Sequence, residues 1–186
     1  MSNVFENRVV RPVRIFSERL TFDGLLTLSL GARTLDEINF TARSFLTLAA
    51  PRLIAGSWNL MEGPVAINKE SVLFVLEIPD LGVSLGRTDE DPELHRFGRA
   101  AIRIRVGEYA VEAYVHTGPG GSWLMRLNQS AHPFIALQSA VVVGPGADFS
   151  ISFLAVNRAH IQSAQEMFSV DLAPEEVAAG TGDEQP

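Results

Sequence analysis

Two clusters of arginine are the residues of this chain best suited to chemistry. Arg8, Arg11 and Arg14 recur at every third position, and Arg99 and Arg103 stand close together later in the chain with Arg105 beside them. A guanidinium is a planar fork of donors that grips phosphate or carboxylate through two parallel bonds. If Arg8, Arg11, Arg14, Arg99 and Arg103 converge, they form a clamp for an anionic small ligand. Their competing duty is to guard exposed strand edges and to pair with neighbouring carboxylates.

Other chemistries find less to work with. There is no cysteine, which removes disulfides, thiolate metal sites and cysteine nucleophiles. His95, His116, His132 and His160 are scattered without metal-ligand spacing, so no metal or other cofactor is expected. No Gly-x-Ser-x-Gly elbow is present for a serine nucleophile. Gly118-Pro-Gly-Gly-Ser122 precedes a helix start and could cradle an anion on free amides, but no Lys-Ser/Thr follows it as in a phosphate-binding loop. Fifteen Lys and Arg against 22 Asp and Glu leave a net charge of −7, which repels a nucleic-acid backbone. The Arg99-x-x-x-Arg103 spacing resembles the arginine motif of PilZ-type cyclic-dinucleotide receptors, which implies an anionic dinucleotide ligand. The Asp/Asn-x-Ser-x-x-Gly companion motif of that family is absent downstream of either cluster.

The elements that position these residues come in two sets. Sliding the chain against itself by 89 residues gives 11 identities over the 67 pairs from Pro12–Ile78 onto Ala101–Met167. They include Gly31 on Gly120, Asn39 on Asn128, Phe45 on Phe134 and Asn68 on Asn157, with conservative matches such as Ile38 on Leu127 and Lys69 on Arg158 in the same register. The chain reads as two copies of one unit, 8–78 and 99–170, joined by a charged and breaker-rich linker over 79–98. The segment 171–186 is acidic and free of aromatic residues, and is expected to be a disordered tail. The start lacks a secretory pattern and no apolar run approaches the length that spans a bilayer, so the expectation is a cytoplasmic protein without membrane insertion.

Each unit reads as mostly β with one short helix. Arg11–Phe16 and Ala101–Val106 alternate polar and apolar residues, the period of a strand with one wet face. Leu20–Leu30 and Tyr109–Thr117 return as second strands of hairpins. Thr34-Leu-Asp-Glu37 has the form of a capping box, predicting a helix to about Ala42, and Ser122 opens a helix over Trp123–Gln129. Ser44–Ile54 and Pro133–Val143 follow as strands. Trp58–Met61 with Pro64–Asn68 suggests another hairpin, Asp148–Val156 stands in its place in the second copy, and Ser71–Ile78 is a last strand. His160–Met167 has a helical look, but the repeat argues for a strand there. The nearest architecture is two repeats of a small SH3-like or Sm-like barrel, with a split sandwich as the alternative.

Gly31-Ala-Arg-Thr-Leu-Asp-Glu-Ile-Asn39, followed by Phe45 and by Val65-Ala-Ile-Asn-Lys-Glu-Ser-Val72, resembles small bacterial domains of unknown function with a Gly-x-Arg-Leu-x-Asp-x-Leu-Asn core. The resemblance covers about residues 10–78; the second copy keeps Gly120, Leu124, Asn128, Phe134 and Asn157, while Arg33 and Asp36 become Ser122 and Met125. It implies a soluble all-β module and no catalytic residue. The repeated asparagines suit turns and helix ends, where short amides satisfy local backbone. The reading that follows is a non-enzymatic binding or scaffold module that meets another protein or self-associates through strand edges. The alternative is a sensor that binds an anionic ligand through the arginines.

Overall fold

A computed structural model describes residues 8–60, 62–78, 98–118 and 120–167. The expected tail and most of the expected linker lie outside the described residues. In the first half the order is β1 (Arg8–Ser17), β2 (Thr21–Ser29), α1 (Thr34–Asn39), β3 (Phe45–Ala55), β4 (Val65–Asn68) and β5 (Val72–Glu77). In the second it is β6 (Arg99–Val106), β7 (Tyr109–His116), α2 (Trp123–Gln129), β8 (Phe134–Gly144), β9 (Ala147–Asn157) and β10 (Ile161–Glu166). A short 3-10 turn precedes each last strand, Lys69–Ser71 and Arg158–His160. Among the described residues no helix is long and apolar enough to cross a membrane.

The ten strands of the described residues form one open antiparallel sheet rather than two separately closed barrels. Its order is β10-β6-β7-β8-β9-β5-β1-β2-β3-β4. Each half therefore repeats the same internal sequence of neighbours, with its last strand at one side and its fourth strand at the other. The halves meet where β5 pairs with β9, through Phe74↔Val156, Val75↔Ala155 and Leu76↔Leu154. β4 and β10 are left as the two ends.

The spacing of 89 residues carries into local geometry. Arg14 on β1 grips Asp23 on β2, and Arg103 on β6 grips Glu112 on β7. The first residue of each helix donates to the last residue of each final strand, the Thr34 hydroxyl to Glu77 and the Trp123 indole N–H to Glu166. Asn68 and Asn157 cap the two 3-10 turns by accepting from Glu70 N–H at 3.0 Å and Ala159 N–H at 3.1 Å. Gly31 and Gly120 take left-handed backbone, φ 78° and 65°, in the turn before each helix, which glycine adopts without a Cβ penalty. Ala50 and Ser139, the two non-glycine residues with positive φ among the described residues, are also 89 apart, at φ 45° and 48°. Both lie where the ladder to the preceding strand shifts register, so a bulge bends β3 and β8 at the same place.

Two expectations are corrected. Thr34 is the first helical residue and not the cap: the Asp36 carboxylate accepts from Arg33 N–H at 3.0 Å, and α1 ends at Asn39. Thr34 is drawn away by the strand-end carboxylate of Glu77, which lies outside the local sequence. The hairpin expected from Trp58 does not form. Residues 57–60 carry no strand, and β4 pairs with β3 instead. Pro64 removes a ladder donor there, and Trp58 packs edge-on to Phe22 with centroids 5.9 Å apart. The second half has no such break, and β9 runs unbroken from Ala147.

Two cores lie under this sheet, each mostly from one half. The first gathers Val13, Ile15, Leu28, Ile38 and Leu48 and takes in Phe134 and Ala155 from the second half. The other gathers Ile102, Ile104, Val111, Leu137 and Leu154 and takes in Phe16, Leu73, Phe74 and Leu76 from the first half. β5 feeds both cores, which is why Val72-Leu-Phe-Val-Leu76 is apolar at every position and buried throughout.

Candidate interaction surface

The predicted arginine clamp divides between two distant strands. Arg8, Arg11 and Arg14 belong to β1, Arg99 and Arg103 to β6, and four strands separate β1 from β6 in the sheet. Arg14 is held by Asp23 at 2.6 and 2.9 Å, and Arg52 adds a third bond to the same carboxylate at 2.8 Å. Burial pushes the Asp23 carboxyl up, but the hydrogen bonds and charges of Arg14 and Arg52 outweigh it and hold the group below its usual value. Arg103 is held by Glu112, and Arg99 lies over the Tyr114 ring at 5.6 Å. His95 lies outside the described residues; among the described residues no three His, Asp or Glu side chains converge as a metal site would require.

The structure instead draws attention to the joint between the halves. At its centre Asn39, the last residue of α1, reaches the start of β8. Its amide donates to the Phe134 carbonyl at 3.0 Å and accepts from the Phe134 N–H at 2.9 Å. The Phe134 ring is 1% exposed inside the first core. Below it Asn157 donates to the carbonyls of Lys69 and Val72, at 3.1 and 3.0 Å, tying β9 to the approach of β5. His160 adds a contact to the Glu70 carbonyl at 2.6 Å. The Asn39 and Asn157 side chains, both buried, thus find their partners across the joint, as burial demands.

The same residues in the other copy of the pattern face outward. Phe45, 89 positions before Phe134, is 53% exposed. Asn128, the counterpart of Asn39, is exposed and makes no side-chain hydrogen bond among the described residues. Asn68 caps its own turn but donates to nothing across a joint. α1 buries Thr34, Ile38 and Asn39, whereas α2 buries none of its residues and leaves Leu124 and Met125 52% and 48% exposed. Among the described residues the joint is thus made once, and its two half-surfaces recur there unpaired at opposite ends of the sheet.

One of these half-surfaces is concave. A cavity of about 280 Å³ opens beside Phe45, between β2 and β3, with Glu37, Arg43 and Lys69 on its wall. Lys69 is buried and donates to the Phe40 carbonyl at the end of α1, at 2.8 Å, where a cation meets the negative end of the helix. Arg158 does the same for α2 at the Leu127 carbonyl. Desolvation lowers the Lys69 ammonium from its ordinary value; nearby Glu37 opposes this and Arg43 adds to it.

No family model, curated protein or solved structure matches the chain. The surface therefore rests on its own geometry. Sequence reasoning singled out Gly31, Asn39, Phe45, Asn68, Gly120, Asn128, Phe134 and Asn157 as repeat positions but assigned the asparagines to local turn duty. That duty describes Asn68 and Asn157 in part, through their caps, and leaves out the bonds of Asn39 and Asn157 across the joint. Leu124 and Met125 were named as the counterparts of Leu35 and Asp36, without a surface role. The available signal was an amphipathic helix whose second copy keeps Leu124 and gains Met125 where the first has Asp36.

Proposed function

We propose that the chain is a non-enzymatic binding or scaffold module that meets other protein through the ends of its sheet. One observation carries this reading: Phe134 and Phe45 hold equivalent places, yet one ring is enclosed and the other is half exposed beside a cavity. A surface shaped to be covered within the chain recurs uncovered on its outside. Exposed apolar residues rimmed by polar groups and flanked by a free strand edge suit a protein partner better than a small ligand.

In this reading the chain is a tandem duplication of a small SH3-like or Sm-like β-unit, diverged in its second copy, as the resemblance to small bacterial domains implies. A unit of about 70 residues buries only near 60% of its unfolded surface. Exchange of Phe134 and Ala155 for Phe16, Leu73, Phe74 and Leu76 between the cores supplies what each lacks. The proposed protein-binding role calls for no catalytic group, and the cytoplasm is the proposed setting.

The test is photo-crosslinking in the native host with benzoyl-phenylalanine placed at Phe45 or Met125 and, as controls, at Tyr114 or Val141, exposed residues on other strands. Protein adducts at Phe45 and Met125 in excess of both controls support the reading. Adducts absent from both positions, or equal at all four, overturn it.

A further inference from the structure

We infer that the partner is a second copy of the chain, joined head to tail, with the α2–β10 end of one molecule on the β3–β4 end of the next. This deepens the proposed function and rests on it. The argument is the direction of the joint already present. Each half orders its strands identically, so the halves are related as successive links: the fifth strand of one half pairs with the fourth strand of the other. A two-fold relation would have used both surfaces of each half and left no ends. The observed contact is heterologous, and a heterologous contact repeats until a ring closes or a filament grows.

The residues needed for the next link are in place. Moving the internal register by 89 positions predicts pairing of Ser163 with Ile67, Ala164 with Ala66 and Gln165 with Val65. Asn128 would then hold the backbone N–H and carbonyl of Phe45 as Asn39 holds those of Phe134, and the Phe45 ring would enter the neighbouring molecule. The edges are open to this. β10, Ile-Gln-Ser-Ala-Gln-Glu, carries no proline, lysine or arginine, the residues that commonly guard an edge. α2, which lacks the burial of α1, would gain it.

The new link is also weaker than the internal one. Where β5 presents Leu73, Phe74 and Leu76, β10 presents Gln162, Ser163 and Gln165. The intermolecular joint therefore relies on backbone pairing, the Asn128 amide and the Phe45 ring, and forms reversibly as concentration rises.

Light scattering on the full chain and two blocked variants tests this. Asn128→Lys blocks the head and Phe45→Asp the tail; both positions are exposed, so each variant keeps the fold. The expected results are a wild-type mass that rises with concentration, single chains for each variant alone, and a two-chain species that grows no further when the variants are mixed. A second pair, Ser163→Lys for the head and Ala66→Lys for the tail, should behave identically. A wild type that stays a single chain at every concentration overturns the inference, and so does either variant pairing with itself, which would mark a two-fold contact. In the first case adducts to another protein at Phe45 would still sustain the broader reading, so the two failures are distinguishable.

Discussion

Asn39 holds both backbone groups of Phe134, while Asn128, its counterpart 89 residues on, holds nothing across a joint. One side chain thus satisfies a buried N–H and a buried carbonyl that lie 95 residues away in the chain. Asn39→Ala removes both bonds and leaves the Phe134 groups without partners, at a cost of about 2–3 kcal/mol. Asn128→Ala in the dilute single chain changes stability by less than about 0.5 kcal/mol. Urea unfolding of the two variants measures the difference, and equal losses would contradict the asymmetry.

Phe134→Ala empties a site in the first core and costs about 3–5 kcal/mol, the usual range for a fully buried phenylalanine. Phe45→Ala, at the equivalent but exposed site, costs under about 1 kcal/mol by the same denaturation measurement.

The acid limb of stability reports on Asp23. Its folded pKa lies below the unfolded value of about 3.9. The unfolded state therefore binds the proton first as pH falls, and the stabilisation present at neutral pH is lost as pH drops below about 4 toward the folded pKa. Asp23→Asn removes this dependence, so the variant is less stable than wild type at pH 7 and the gap between the two narrows as pH falls below about 4. A constant difference between them from pH 7 to pH 2 would contradict the assignment.

How much of this was legible in the sequence depends on how local the cause is. The strands with strict alternation, such as Ala101–Val106, and the helix after Ser122 were readable because side-chain period and a capping hydroxyl are local signals. The strand at Ile161–Glu166 was readable only through the 89-residue spacing, since its own residues look helical. The capping of α1 was misread because Glu77, 43 positions away, recruits the Thr34 hydroxyl. The absence of a strand at Trp58 traces to the packing of one ring on Phe22. The joint was hidden most deeply: Asn39 and Asn128 are the same residue in the same local pattern, and only the order of strands in the sheet decides which is covered.

The bulges at Ala50 and Ser139 give a local check on the shared geometry. An L-residue in the left-handed region carries about 1–2 kcal/mol of strain, which glycine relieves at some cost in chain entropy. Ala50→Gly and Ser139→Gly are each neutral or stabilising by up to about 1 kcal/mol, and Ser139→Val is destabilising by more than about 1 kcal/mol. Thermal unfolding of the three variants reads these values.

Amide hydrogen exchange on the dilute wild-type chain addresses the central asymmetry most directly, because it reads the strand edges themselves. Peptides covering Val72–Glu77 of β5 and the Leu154–Asn157 end of β9 should exchange slowly, and those covering Val65–Asn68 and Ile161–Glu166 rapidly. Protection of β4 and β10 equal to that of β5 and β9 would mean that the second joint is already closed within a single chain, and the account of two open ends would be wrong.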